Sequence, residues 1–420
     1  MSIAIITQPQ QPQPAANKSI YVVSGSNQAS GNFRYVADVK DGSLNLLARL
    51  KCDKLPDGNG FFNVANVIQT LIVPAKPNPV AGWQDAKIAE EYNIEFTDEF
   101  GTPPVVSTGT TNASGIVWKA YFPQQAIPVT SGYMGTFANP QALLPLTNRP
   151  TSYKSRSNQD DFLTVMKFIN APFEIEIIYP TRTFIISDSA TSGFLSASVN
   201  IGSAGLQALT SGQTADNLPG IIGLPKTKAQ AYTYYNTRAT AGGAVSEINP
   251  CAQNAYNQLL PDYPLGQSYQ VQILDFNGDP TTTYTITIED CERYPSQIVY
   301  FRNALGGVDS YLFKMKNRKR IEAERTTYNR NSDIYGTTSF DKIWQTEYTE
   351  RLELNSDWLT DAEFRWLQEM FLTSELWVLQ NGNLVEAVVT SNSYNVATRA
   401  VDRLQQLNIA IDIAFKNTTL

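Results

Sequence analysis

Histidine is absent from all 420 residues of this chain. That excludes Ser-His-Asp and Cys-His dyads, His-containing zinc sites and an imidazole acid or base working near neutral pH. Carboxylate or lysine chemistry is what remains for catalysis. Cysteine is nearly as scarce. Cys52, Cys251 and Cys291 are odd in number and far apart, which argues against a disulfide framework and a cysteine-based zinc site, so they are expected as small buried hydrophobes. Charged residues make up only 17% and balance to −7, so the molecule as a whole is no electrostatic partner for nucleic acid or anionic lipid. Long apolar runs are missing too. A stretch such as Ile175-Glu176-Ile177-Ile178-Tyr179 is far too short to span a bilayer, and the N-terminus has neither the basic region nor the apolar core of a signal peptide. The expectation is a soluble chain made in a cytoplasm, without membrane insertion.

What the chain does have is 42% apolar residues with 25 Gly, 23 Pro and abundant Tyr, Thr, Asn and Ser. This mix builds short strands joined by many turns. The pattern is plainest from Trp344 to Phe415. Thr360-Asp361-Ala362-Glu363 has the form of a capping box, which predicts a helix start. Behind it Phe364, Leu367 and Phe371 recur at spacings of three and four, with Trp366 and Met370 alongside, as one apolar stripe. Glu375 to Gln380 and Leu384 to Val389 are β-prone runs joined by Asn381-Gly382-Asn383, a hairpin signature. Tyr348 to Leu354 and Leu407 to Phe415 alternate polar and apolar residues as strands do. The predicted unit is strand, helix, hairpin, closing strand.

Taken from the start, the chain opens with Gln8-Pro9-Gln10-Gln11-Pro12-Gln13-Pro14, which predicts an extended or disordered arm over 1–18, either loose or ordered against a neighbouring subunit. Residues 19–75 read as an N-terminal β module: strands at Ser19–Val23, Phe33–Val39 and Leu46–Cys52, a turn at Pro56–Gly60, then a short helical pattern. Asp57 and Asn59 sit among glycines as calcium ligands might, but the later ligands of such a loop are missing and turn chemistry is the better reading. Residues 76–267 read as a loop-rich β region with long insertions, above all 188–250, a length that usually binds something or wraps a neighbour. In 268–343 strict alternation flanks Phe276-Asn277-Gly278-Asp279-Pro280 as a hairpin, and Asp275, Asn277 and Asp279 are turn polarity before they are metal ligands. A second strand pair, Ile298–Phe301 and Tyr311–Phe313, precedes the only concentrated basic charge. From Lys314 to Arg330 seven basic residues oppose Glu322 and Glu324, a net of +5 that leaves −12 on the rest. With Tyr328 as its one aromatic this is a solvated strand edge or a patch for an acidic surface on another subunit, before it is a nucleic-acid site. Residues 344–420 form the last module.

The fold class expected is mainly β: several antiparallel β-sandwich-like modules with few short helices, and a C-terminal module of one helix packed on an antiparallel sheet. No catalytic, cofactor-binding or metal-ligating residue is nominated.

The run Phe301-Arg302-Asn303-Ala304-Leu305-Gly306-Gly307-Val308-Asp309-Ser310-Tyr311-Leu312-Phe313, with Cys291-Glu292-Arg293-Tyr294 before it, has the form aromatic, x, Asn, x, x, Gly-Gly-x-Asp, x, aromatic, x, Phe. It resembles a signature of structural proteins of tailed phages and prophages of Bacteroidota. Phe33–Val39 followed by Leu55–Val64 is similar to the N-terminal module of that group, and Leu352-Glu353-Leu354 through Trp366 to Trp377 is similar to its C-terminal one. The resemblance implies a virion component, made in the host cytoplasm, of the tail, tail tip or baseplate, contacting copies of itself in a ring and other virion proteins. Alternatives are a capsid-associated or host-receptor-binding, adhesin-like phage protein; an exported bacterial adhesin would need a signal that this N-terminus does not show. A carboxylate-based glycosidase is the enzymatic alternative, and no acid pair is nominated for it.

Overall fold

Strand chemistry prevails along most of this chain because β-branched and aromatic residues alternate with polar ones and turns punctuate them often. The computed structural model describes residues 3–9, 11–77, 83–121, 144–156, 159–167, 173–178, 182–188, 195–201, 221–225, 268–274, 280–288, 294–330, 340–380, 383–390, 406–413 and 417–419. Among these the protein is mainly β, in five sheets, with helices confined to Ala65–Leu71 and Asp361–Leu372. The predicted fold class is the observed one.

The N-terminal sheets make a sandwich. Strands Ala4–Thr7, Ile20–Ser24 and Gly60–Asn63 face a larger sheet running Gln13–Pro14, Thr111–Trp118, Ala89–Phe100, Arg34–Asp41 and Leu46–Asp53. Tyr21, Val23 and Phe62 from one sheet meet Tyr35, Val39, Ile94 and Phe96 from the other in a single core. The Gln/Pro leader is part of this sandwich, which corrects the expected arm over 1–18. Ala4–Thr7 pairs antiparallel with Ile20–Ser24, Gln13–Pro14 pairs parallel with Val117–Trp118, and Ile3, Gln13 and Ala15 are buried. The reason is amide chemistry: Gln11 Oε1 accepts the Ile116 N–H at 2.9 Å, and Gln13 Oε1 accepts the Ser19 hydroxyl at 2.8 Å. Glutamines with nothing apolar to bury can still satisfy a sheet edge.

Two middle sheets follow. One runs Leu144–Pro145, Phe162–Lys167, Leu195–Asn200 and Trp83–Asp85; the other runs Ser152–Ser155, Pro280–Ile288, Ser268–Leu274, Phe173–Ile178, Arg182–Asp188 and Ile221–Pro225. The stretch 188–250, expected as a long loop, contributes Leu195–Asn200 and Ile221–Pro225 as strands, and its remaining residues lie largely outside those described. Pairing also cuts across the 268–343 unit. Its first hairpin joins the middle sheet, its second, Gln297–Arg302 with Val308–Phe313, joins the C-terminal sheet, and Ala89–Phe100 and Thr111–Trp118 complete the N-terminal sandwich.

The C-terminal sheet orders Val308–Phe313, Gln297–Arg302, Leu376–Gln380, Asn383–Val389, Asn408–Ile413, Phe340–Asn355 and Arg318–Arg330. The capping box is formed: Glu363 N donates to Thr360 Oγ1 at 3.3 Å and Thr360 N to Glu363 Oε2 at 2.9 Å. Phe364, Trp366, Leu367 and Met370 are buried against Val299, Phe301, Leu354, Val378, Ile409 and Ile411. Phe371, expected in the same apolar stripe, packs against this core but is half-buried; the helix is interrupted at Gln368 and its last turn turns Met370 inward. Gln380 pairs with Asn383, as a two-residue hairpin loop requires, while Asn381 and Gly382 lie outside the described residues.

Candidate functional site

The Asn-x-x-Gly-Gly-x-Asp run is the turn between two strands of the C-terminal sheet. Its chemistry begins with Asn303, whose Oδ1 accepts the N–H groups of Leu305 at 3.0 Å and Gly307 at 2.9 Å, closing the turn from inside. The two glycines are there for room. Gly306 has φ +86, and a Cβ on it would lie 1.9 Å from the Lys119 carbonyl oxygen; one on Gly307 would lie 2.1 Å from that of Leu146. The turn is thus pressed against the backbone of Lys119 and Leu146. Asn303 Nδ2 donates to the Leu146 carbonyl at 2.8 Å and to Asp309 Oδ2 at 2.9 Å.

Asp309 opens a buried ionic network. Arg149 Nη2 donates to Asp309 Oδ1 at 2.8 Å and to the Phe162 carbonyl at 2.7 Å, while Nη1 donates to Asp161 Oδ2 at 2.9 Å and to the Tyr153 hydroxyl at 2.9 Å. The side chains of Arg149, Asp161 and Asp309 are at most 1% exposed. One guanidinium stands against two carboxylates, so neutral donors carry the excess negative charge: Trp366 Nε1 at 2.8 Å and Thr147 Oγ1 at 2.8 Å on Asp309, and the Ser310 hydroxyl at 2.8 Å on Asp161. Burial works against the charge of Arg149, but Asp161, Tyr153 and Asp309 outweigh it and hold the guanidinium protonated well above its ordinary range. Burial, reinforced by Asp161, pushes the Tyr153 phenol well up. The network joins the 144–155 segment, a middle sheet, the motif hairpin and the capping-box helix. Two paired acids closed off from solvent cannot receive a saccharide, so their arrangement is suited to holding elements together rather than to hydrolysis.

Beside this junction lies a groove of about 440 Å³ lined by Ala15, Ala16, Lys119, Tyr121, Ala304, Glu369, Leu372 and Ser374 among others. Its charges are engaged: Glu369 accepts from Ala304 N at 2.8 Å and Asn148 Nδ2 at 2.7 Å, and Arg302 Nε donates to Glu375 at 2.7 Å. Burial raises the Glu369 carboxyl and lowers the Arg302 guanidinium from their usual ranges.

The remaining sequence candidates fall elsewhere. Asp57 accepts the Asn59 N–H at 3.0 Å and its side-chain amide at 2.8 Å, beside Gly58 at φ +85, which is turn chemistry. Asp275, Asn277, Asp279, Cys251 and Cys291 lie outside the described residues, and Cys52 is half-buried with Phe61 N donating to its Sγ at 3.3 Å. Among the described residues no group of three metal-ligating side chains gathers, and no helix is long and apolar enough to cross a membrane. Arg149 and Asp161 escaped the sequence reading. The available signal was isolation: from Ala120 to Asn148 there is no charged residue, and Arg149 ends that run.

The basic segment is the outer strand, Arg318–Arg330, of a long ribbon with Phe340–Asn355. Ile321, Tyr328, Ile343 and Trp344 stand exposed on it, and Tyr328 and Trp344 meet edge to face at 5.9 Å.

No family model matches the chain, and no curated protein does. Among solved structures it is similar to the crystal structure of Salmonella alpha-2-macroglobulin reacted with methylamine, at 10% identity and TM-score 0.18, over 84% of this chain and 25% of that one. This chain therefore spans about a quarter of the length of that protein. At that TM-score the likeness says nothing about fold or activity.

Proposed function

We propose that this chain is a non-enzymatic structural subunit of a tailed-phage virion, in the tail, tail tip or baseplate, working as a symmetric oligomer. The observation that carries the assembly half of this reading is the ribbon. A two-stranded ribbon is marginal in water by itself. Asn408–Ile413 and Asn417–Thr419 back this one within Thr346–Asn355, but its far end, Thr326–Arg330 with Phe340–Gln345, has no third strand among the described residues, and the ribbon exposes Ile321, Tyr328, Ile343 and Trp344. Surface of that kind is suited to a partner. The virion half comes from the resemblance, whose signature residues Asn303, Gly306, Gly307 and Asp309 all have structural work in the junction.

The buried junction supports the same reading. A subunit that passes load between neighbours gains from elements locked by a satisfied ionic network. Expected partners are copies of this chain and other virion proteins, with the +5 segment against acidic surface. The Gln/Pro leader gives assembly no support, because it packs within its own chain.

Mass spectrometry of separated heads and tails from particles of the encoding strain tests the assignment. The chain should be found with the tails in fixed stoichiometry. Recovery with the heads would move it to the capsid, and absence from both would overturn the virion reading.

A further inference from the structure

Among the described residues the outer strand of the ribbon, Arg318–Arg330, has one neighbour and none of them pairs with its other edge. Alternation puts Arg318, Arg320, Glu322 and Glu324 on one face and Lys319, Ile321, Ala323 and Arg325 on the other. The first face therefore reads two bases, then two acids. A strand with that order is its own complement when a second copy runs antiparallel to it.

We propose that two copies of this chain join by pairing this edge antiparallel about a two-fold axis at Ile321. In that register Arg318 stands opposite Glu324 of the partner subunit and Arg320 opposite Glu322 of the partner subunit, with both pairs repeated by the two-fold. Ile321 meets Ile321 of the partner subunit on the other face. The contact is isologous, as a two-fold requires, and continues the sheet across the two copies.

The side chains are free for it. Arg318 and Glu324 are exposed and make no ion pair among the described residues. Arg320 is 66% exposed and reaches its own Glu322 only at 3.5 Å. Glu322 accepts Arg351 Nη1 at 2.9 Å and keeps a second oxygen for a guanidinium from across the axis. Ile321 is 59% exposed. Charges on an edge strand often guard it against pairing. A guard needs one sign repeated, since a second copy then meets its own charge; the order here gives opposite charges at each facing position of the Arg/Glu face, and a shift of the axis by one or two residues brings like charges together. Centred on Ala323, for example, Glu322 would face Glu324 of the partner subunit.

Sedimentation of the full chain tests the pairing. The wild type should form a dimer that weakens as salt rises. R318E and E324R, which alter residues that make no ion pair among the described residues and stand across their own ribbon from Glu353 and Glu347, should each dissociate at least tenfold more readily, with unchanged circular dichroism. The double variant R318E/E324R should dimerise within a few-fold of wild type, and an equal mixture of the two single variants should form mixed dimers. Across the two-fold, facing Cβ atoms lie about 4.5–5.5 Å apart, so I321C should cross-link to itself under mild oxidation while A323C should not. A chain monomeric at its highest soluble concentration, a dimer indifferent to R318E and E324R, or cross-linking through A323C in place of I321C would each overturn the proposal. None of these outcomes touches the virion assignment, which rests on the composition of particles.

Discussion

Replacing Asp309 by asparagine is the sharpest probe of the buried junction. The change keeps shape and removes one charge. Asp309 Oδ1 accepts Arg149 Nη2 at 2.8 Å and Thr147 Oγ1 at 2.8 Å, while Oδ2 accepts Asn303 Nδ2 at 2.9 Å and Trp366 Nε1 at 2.8 Å. An asparagine amide must turn its NH2 towards one of these sides, and there it meets only donors. At least two buried donors lose their acceptor, each worth about 1–3 kcal/mol when left unmade. Arg149 keeps Asp161 at 2.9 Å, so no uncompensated cation appears and the cost stays near the low end for a broken buried pair, about 3–4 kcal/mol. Arg149→Met should cost at least as much, because it strands two buried carboxylates. Urea unfolding followed by tryptophan fluorescence reads both, through the shift of the midpoint multiplied by the slope. A loss under about 1 kcal/mol for Asp309→Asn, or an Arg149→Met protein more stable than Asp309→Asn, would refute the claim that this network holds the modules together.

Leu367 is fully buried beneath the capping-box helix, so Leu367→Ala should cost roughly 2–4 kcal/mol in the same assay. Gly306→Ala forces a Cβ to 1.9 Å from the Lys119 carbonyl oxygen at φ +86; the chain should be recovered poorly or with a strongly lowered melting temperature, and an unchanged melting temperature would show that the turn does not press on Lys119. Purified protein incubated with host envelope material should release no sugar, phosphate or acyl product; saturable turnover abolished by changing one Asp or Glu would contradict the non-enzymatic reading.

The parts of the fold legible in the sequence were those set by local pattern. The capping box at Thr360, the helix stripe, the hairpin that pairs Gln380 with Asn383 and the alternation at Leu407–Phe415 each depend on residues within a few positions of one another; the first three are observed, and of the last the strand Asn408–Ile413 lies within the described residues. What pairs with what was not legible, because strand partners such as Ser152–Ser155 and Thr285–Ile288 are far apart in sequence and periodicity carries no address. The leader was misread because glutamine amides fill hydrogen-bond vacancies that a hydrophobic pattern cannot register. The run around Gly306 stood out as a signature between two strands, but nothing local says that its Asn303 and Asp309 reach a buried junction. Its partner Arg149 did not stand out, because a lone arginine between Asn148 and Pro150 has no motif of its own.

Hydrogen–deuterium exchange over residues 318–330, in the purified chain and in intact particles, tests most directly whether the ribbon is an assembly element. In dilute chain the outward amides of this edge strand should exchange fast, and in the particle they should be strongly protected while the buried C-terminal strands change little. Equal exchange of 318–330 in both states would mean that no partner covers the ribbon, and the assembly reading would fall with it.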